Sequence, residues 1–228
     1  MKHIRKHFHF SDIIIISLIL ISFIIGVIFY GSMPARMASH WGIDGKVDGY
    51  TGRGFGMFFM PVLLLLLYIL LKLVPTMDPL KENIKQFENY YNFFIAVIVT
   101  FMFYVYALTI FWNLGYYFNM SYAIVPGLSV LFFYVGILVE KAKMNYTIGI
   151  RTPWTLASEN VWNKTHKLGG FVFKTIAVLC FISMFLPRIF FILSLFFIVG
   201  LFIWIVVYSY LEYRKEKKPK DKKRTQAR

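Results

Sequence analysis

Cysteine is almost absent from this chain. Cys180 stands alone among 228 residues and falls within an apolar run. An intrachain disulfide and a metal cluster built from thiolates are therefore both excluded. Acidic residues are also scarce: eleven Asp and Glu stand against 25 Lys and Arg, for a formal net charge of +14. Charged residues of both signs reach only 16 %, while apolar residues reach 58 % and aromatics 20 %. A water-soluble domain carries about 45–50 % apolar residues, so most of this chain needs a solvent other than water. Apolar runs of the roughly 20 residues that cross a hydrocarbon core make that solvent lipid. The positive charge does not point to nucleic acid, because nine of the 25 basic residues lie beyond Tyr213 and most others sit in two further segments. No groove-reading or zinc motif accompanies them. Basic residues grouped beside apolar runs mark the cytoplasmic flanks of membrane helices.

The apolar runs predict spans at Ile13–Tyr30, Phe55–Val74, Tyr91–Trp112, Tyr122–Val139, Phe171–Leu186 and Ile189–Leu211. The first is too long for a signal peptide and lacks a small-residue cleavage site, so it reads as a retained helix. The fifth is short, which leaves a re-entrant segment as the alternative, and Pro187-Arg188 breaks it from the sixth. With the N-terminus inside, twenty Lys and Arg flank the cytoplasmic ends and four (Arg36, Lys46, Arg53 and Arg188) the outer ones. That bias places both termini in the cytoplasm. The expected fold is an all-α membrane protein of about six transmembrane helices, with an amphipathic interfacial helix between the fourth and fifth. Residues 1–112 form its N-terminal membrane region and 113–211 a second one. The tail, 212–228, is basic and nearly free of apolar residues after Tyr213, so it reads as disordered.

Two polar segments carry the chemistry. The external one includes Ser39-His40-Trp41-Gly42-Ile43-Asp44-Gly45-Lys46-Val47-Asp48-Gly49-Tyr50. Its Asp-Gly pairs are turn signals. His40, Trp41 and Tyr50 suit the headgroup zone, where a ring has one apolar and one wet side. Either this is a tight interfacial turn, or it is a cap that meets a ligand through His40, Trp41, Asp44, Asp48 and Tyr50. Three ligands as loosely spaced as His40, Asp44 and Asp48 make a poor metal site, and neither a metal nor a cofactor is expected.

The cytoplasmic segment runs from Asn145 to Gly170. Thr152-Pro153 reads as a helix start and Gly169-Gly170 as its stop. Trp154, Ala157, Val161, Thr165 and Leu168 fall on one stripe, which predicts a helix lying in the inner interface. Arg151, with fixed charge and five donors, suits a phosphate, a carboxylate or a lipid headgroup. His166 titrates near neutral pH if solvated. Glu159, Thr165 and His166 imitate an acid–base–nucleophile set, but no activated nucleophile is evident and catalysis is not expected. Thr152, Pro153, Trp154 and Trp162 complete the candidate residues here.

Gly149-Ile150-Arg151-Thr152-Pro153-Trp154-Thr155-Leu156 and Val161-Trp162-Asn163-Lys164-Thr165-His166-Lys167-Leu168-Gly169-Gly170 closely resemble the signature of the sporulation-delaying-peptide immunity (SdpI) family. Ser39-His40-Trp41 with Asp44-Gly45 and Asp48-Gly49-Tyr50 is similar to the membrane domain that accompanies it. Departures are Met37-Ala38 where the family usually has Ile-Pro, Gly42 in place of Asn, Val47 in place of Pro, and the long basic tail. The resemblance implies a multi-pass protein of the bacterial plasma membrane that protects its cell from a secreted toxic peptide. It also implies signalling, by holding a transcriptional repressor at the membrane. A receptor without an immunity role is the alternative. A transporter is disfavoured by spans that read as almost free of ionisable groups.

Overall fold

In hydrocarbon every backbone N–H and C=O has to be bonded within its own segment, so long apolar runs become helices. The computed structural model describes residues 9–225 apart from Ile43 and Pro187, without the side chains of residues 188–195 and 218–225. Among the described residues lie α1 (Phe10–Ile28), β1 (Arg36–Trp41), β2 (Val47–Gly52), α2 (Arg53–Met77), α3 (Lys81–Lys85), α4 (Glu88–Asn113) and α5 (Met120–Lys141). Then follow α6 (Pro153–Ala157), α7 (Glu159–Ser183) and α8 (Arg188–Thr225). Six helices among the described residues are long and apolar enough to cross a membrane: α1, α2, α4, α5, α7 and the Phe196–Lys217 stretch of α8. The chain is a multi-pass membrane protein. Among the described residues the departure from an all-helical fold is the β1–β2 hairpin, where a turn or cap was expected.

Packing divides the chain into two units. The first holds the chain up to Leu73 together with Tyr91–Leu128. Its core is Met33, Met37, Met57, Tyr106 and Ile110. Tyr106 sits at the centre, its hydroxyl donating to the carbonyls of Met57 at 3.1 Å and Ser22 at 3.3 Å. One side chain of α4 thus binds the backbones of both α1 and α2. Toward the start of α1, Lys72 pairs with Asp12 at 2.7 Å and donates to the Asn92 carbonyl oxygen at 3.0 Å. Asp12 is 3 % exposed and also accepts from the His9 N–H and the Tyr68 hydroxyl. An ion pair thus joins the first turn of α1 to the last turns of α2. The residues of this pair stand sixty positions apart in the sequence, which hides their partnership.

The second unit holds Val74–Tyr90 and the chain from Ser129 onward. Here α5 and α7 touch backbone to backbone. A methyl group added at Gly136 would lie 2.8 Å from the Gly170 carbonyl oxygen, and one at Gly170 as close to that of Gly136. Small residues let membrane helices approach this closely. Gly169-Gly170 is thus a packing site and not a helix stop. α7 runs through it for 25 residues to Ser183, long and apolar enough to cross a membrane, so the fifth span is not short.

The stretch expected as one interfacial helix is two. α6 ends at Ala157, Ser158 is extended (φ −153°, ψ 123°), and its hydroxyl caps α7 by accepting from the Val161 N–H. A second correction concerns the tail. From Glu212, where disorder was expected, α8 continues to Thr225. Glu212 is buried, bridging Lys164 at 2.9 Å and Lys215 at 2.6 Å, and the Ser158 hydroxyl donates to Glu216. Paired charges replace the missing apolar contacts. Residues 226–228 lie outside the described residues.

Candidate functional site

In the first unit the hairpin brings its polar residues together unevenly. Its loop closes through the Gly42 N–H to the Lys46 carbonyl at 2.9 Å, with Gly45 in the left-handed region at φ +75°. Asp44 serves this turn by accepting from the Lys46 N–H. Register shifts fall on either side of His40, which stands opposite Gly49. A methyl group at Gly49 would meet the His40 Cβ at 2.8 Å, so glycine is required for this approach. The His40 ring donates through Nδ1 to Asp48, and both side chains are exposed. Asp44 does not join them, and no trio of metal-binding side chains occurs among the described residues. Trp41 packs edge-on against Trp112 at 5.6 Å, and the Arg36 guanidinium lies 5.7 Å over the Tyr50 ring.

Residues that sequence reasoning missed hold the hairpin in place. The Asn113 carboxamide bonds both backbone groups of Ala38: its oxygen accepts from the N–H at 2.8 Å, and its nitrogen donates to the carbonyl at 3.0 Å. One side chain thereby acts as a strand neighbour to β1. Ser121 donates to the Gly42 carbonyl and Asn119 to that of Asp44. Lys46, Val47 and Tyr50 then line an open groove of about 610 Å³ with Trp112, Tyr117 and Asn119. The available signal was the aromatic run Tyr116-Tyr117-Phe118 just beyond Trp112-Asn113. Asn113→Leu strands two backbone groups at once. It is expected to cost about 2–3 kcal/mol, read as a lower thermal midpoint in detergent with faster amide exchange at Ala38.

In the second unit the Asn145–Gly170 segment is a folded loop closed by side chains. Asn145, wholly buried, accepts from the Thr147 and Ile148 N–H groups and donates to the Lys143 and Ile148 carbonyls. Asp78 accepts from the N–H groups of Leu80 and Tyr146 and from the Thr147 hydroxyl. Gly149 follows at φ +119°. His166 is 1 % exposed, not solvated. Its Nε2 accepts from the Ile150 N–H at 3.0 Å, so the proton lies on Nδ1, which donates to the Trp162 carbonyl at 2.8 Å. The imidazole stacks on the Trp162 ring at 3.8 Å, and Trp162 donates to the Ala142 carbonyl.

The remaining candidates scatter around this loop. Thr152 caps α6 and Pro153 opens it, as the sequence predicts. The Thr152 hydroxyl lies 3.0 Å from that of Ser209, and Trp154 packs on Tyr210. Arg151 is exposed, with Nη1 donating to the Tyr146 carbonyl. Glu159 is exposed in the first turn of α7, and the buried Thr165 hydroxyl has no hydrogen-bond partner among the described residues. The acid–base–nucleophile arrangement is therefore not assembled. His166 holds backbone.

The stretch that contains this loop, α6, α7 and much of α8 can now be placed. Residues 141–209 match the SdpI/YfhL protein family. A domain of unknown function (DUF1648) matches residues 17–65, which include the hairpin. The immunity protein SdpI of Bacillus subtilis (strain 168) is 27 % identical over 170 residues, covering 75 % of this chain and 77 % of that protein. No solved structure matches. Within the matched residues, Thr152, Trp154, Trp162 and His166 build the loop, while Arg151 and Glu159 remain on its surface.

Proposed function

We propose that this membrane protein lets its cell tolerate a secreted, membrane-active peptide, which it meets at the hairpin. The observation that carries the reading is the alignment of three-quarters of the chain with a protein named for immunity. Two features support the site. The charge bias assigns the hairpin to the outer side, and its groove joins aromatic rings with polar groups, as peptide sites do. His40, Trp41, Asp44, Asp48 and Tyr50 act here as hairpin frame and rim. No catalysis or cofactor enters this reading. Deleting the gene and challenging the cells with the host's own secreted peptides tests it. Greater sensitivity to at least one peptide is expected, and unchanged sensitivity to all of them would overturn it.

A signalling role is the second reading, favoured by one observation. α8 grips the loop and the start of α7 through Ser209, Tyr210, Glu212 and Glu216. Any shift of α8 therefore passes to Arg151 and Glu159, which would face a cytoplasmic repressor. Peptide has to bind the two arrangements with different affinity for this to work. Repressor recovered with membranes only after peptide exposure is the expected result. Equal recovery without peptide would sink the reading.

A further inference from the structure

The sheet has two strands, so each leaves one edge without a strand partner. On β1 that edge is occupied at Ala38 by Asn113. Because both Ala38 backbone groups turn toward Asn113, the Ala38–Tyr50 pair is a non-hydrogen-bonded one. The Arg53 N–H bonded to the Ala35 carbonyl fits the same alternation, with Ala35 two steps from Met37. Tyr50 therefore aims its N–H and C=O, and Gly52 its N–H, away from β1 at the free edge of β2, while the Gly52 carbonyl opens α2. Tyr50 of that strand also lines the groove, with Lys46, Val47, Trp112 and Tyr117. The two nearby carboxylates are engaged, Asp48 by His40 and Asp44 by the Lys46 N–H. Among the described residues the Lys46 ammonium carries no ion pair, and the Arg36 guanidinium lies over the Tyr50 ring, which puts two cations at the groove.

We infer that the free edge of β2 takes an extended acidic peptide as a third strand, with backbone bonds at Tyr50 and Gly52, an aromatic or aliphatic side chain in the groove and a carboxylate on Lys46. Strand addition of this kind draws affinity from the main chain and selectivity from the pocket beside it. An unprotected edge is otherwise a liability that proteins blunt. The inference deepens the peptide reading above and rests on it.

The test uses the full chain in nanodiscs and a short synthetic peptide of alternating threonine and phenylalanine with a free terminal carboxylate. Peptide is expected to slow amide exchange at Tyr50 and Gly52 about tenfold, the equivalent of about 1.4 kcal/mol. Amidating its carboxylate, or Lys46→Glu, is expected to weaken binding about tenfold by the same conversion. Tyr50→Pro removes an outward N–H without touching the β1 ladder, and is expected to abolish binding where Tyr50→Ala only weakens it. Should Tyr50→Pro loosen the hairpin, seen as fast exchange at Met37 and Thr51, the Lys46→Glu and amidation arms still decide. Protection that appears without peptide and rises with protein concentration would replace the peptide by a second copy and overturn the inference. So would binding indifferent to both Lys46→Glu and amidation. Where deletion abolishes tolerance but Lys46→Glu and Tyr50→Pro both retain it, the peptide reading stands and the edge site falls.

Discussion

Gly149→Ala is expected to cost about 2–6 kcal/mol and to release the Asn145–Gly170 loop. Two effects combine. At φ +119° a side chain is strained wherever the space around it lies, by about 1–3 kcal/mol. The added methyl would also fall 2.4 Å from His166 Nε2. The imidazole has to swing away, and the Ile150 N–H then loses its acceptor in a part-buried setting, for about 1–3 kcal/mol more. Gly115→Ala separates the two effects, because Gly115 has φ +100° with open space around it. Thermal midpoints in detergent should fall much further for Gly149→Ala than for Gly115→Ala, with faster exchange at Ile150. Equal losses would show that the His166 contact contributes nothing.

That contact also shows where sequence reasoning stops. Hydropathy fixes the six spans, because length and apolarity are properties of one segment at a time. The Thr152-Pro153 start is equally local and stands as a cap in the structure. Gly169-Gly170 is not local. The same two glycines end a helix in water or let two helices touch in lipid, and only the opposing Gly136 decides between them. The stripe from Trp154 to Leu168 fits an interfacial helix and a protein-buried one alike. Here Val161, Trp162, Thr165 and His166 are inside the protein, and Ser158 interrupts the stripe.

The hairpin was hidden for a related reason. Its Asp-Gly signals mark the turn correctly, but β2 contains two glycines and the register shifts twice, so strict alternation fails. Its main support, Asn113, lies 75 residues from Ala38. The sequence partition at residue 112 likewise groups neighbouring spans. Packing instead adds 113–128 to the first unit and sends Val74–Tyr90 to the second. The tail misled in the opposite direction. Lacking apolar residues, it gave no sign that Glu212 would be buried by charge pairing with Lys164 and Lys215.

Lys72→Met should be among the most damaging changes in the first unit, at about 3–5 kcal/mol, since it leaves Asp12 buried without its cation. The Tyr68 hydroxyl and the His9 N–H still bond Asp12, but neither supplies charge. The pair itself need contribute little, because desolvating two ions offsets most of their attraction. Combining Asp12→Asn with Lys72→Met should therefore recover much of the single-variant loss, and the coupling is read from a double-mutant cycle of unfolding in detergent. Two outcomes separate a structural pair from a functional one. If the double variant regains both stability and peptide tolerance, the charges only hold α1, α2 and α4 together. If stability returns while tolerance stays lost, the charges themselves take part in the response, as ionisable groups placed within membrane spans commonly do.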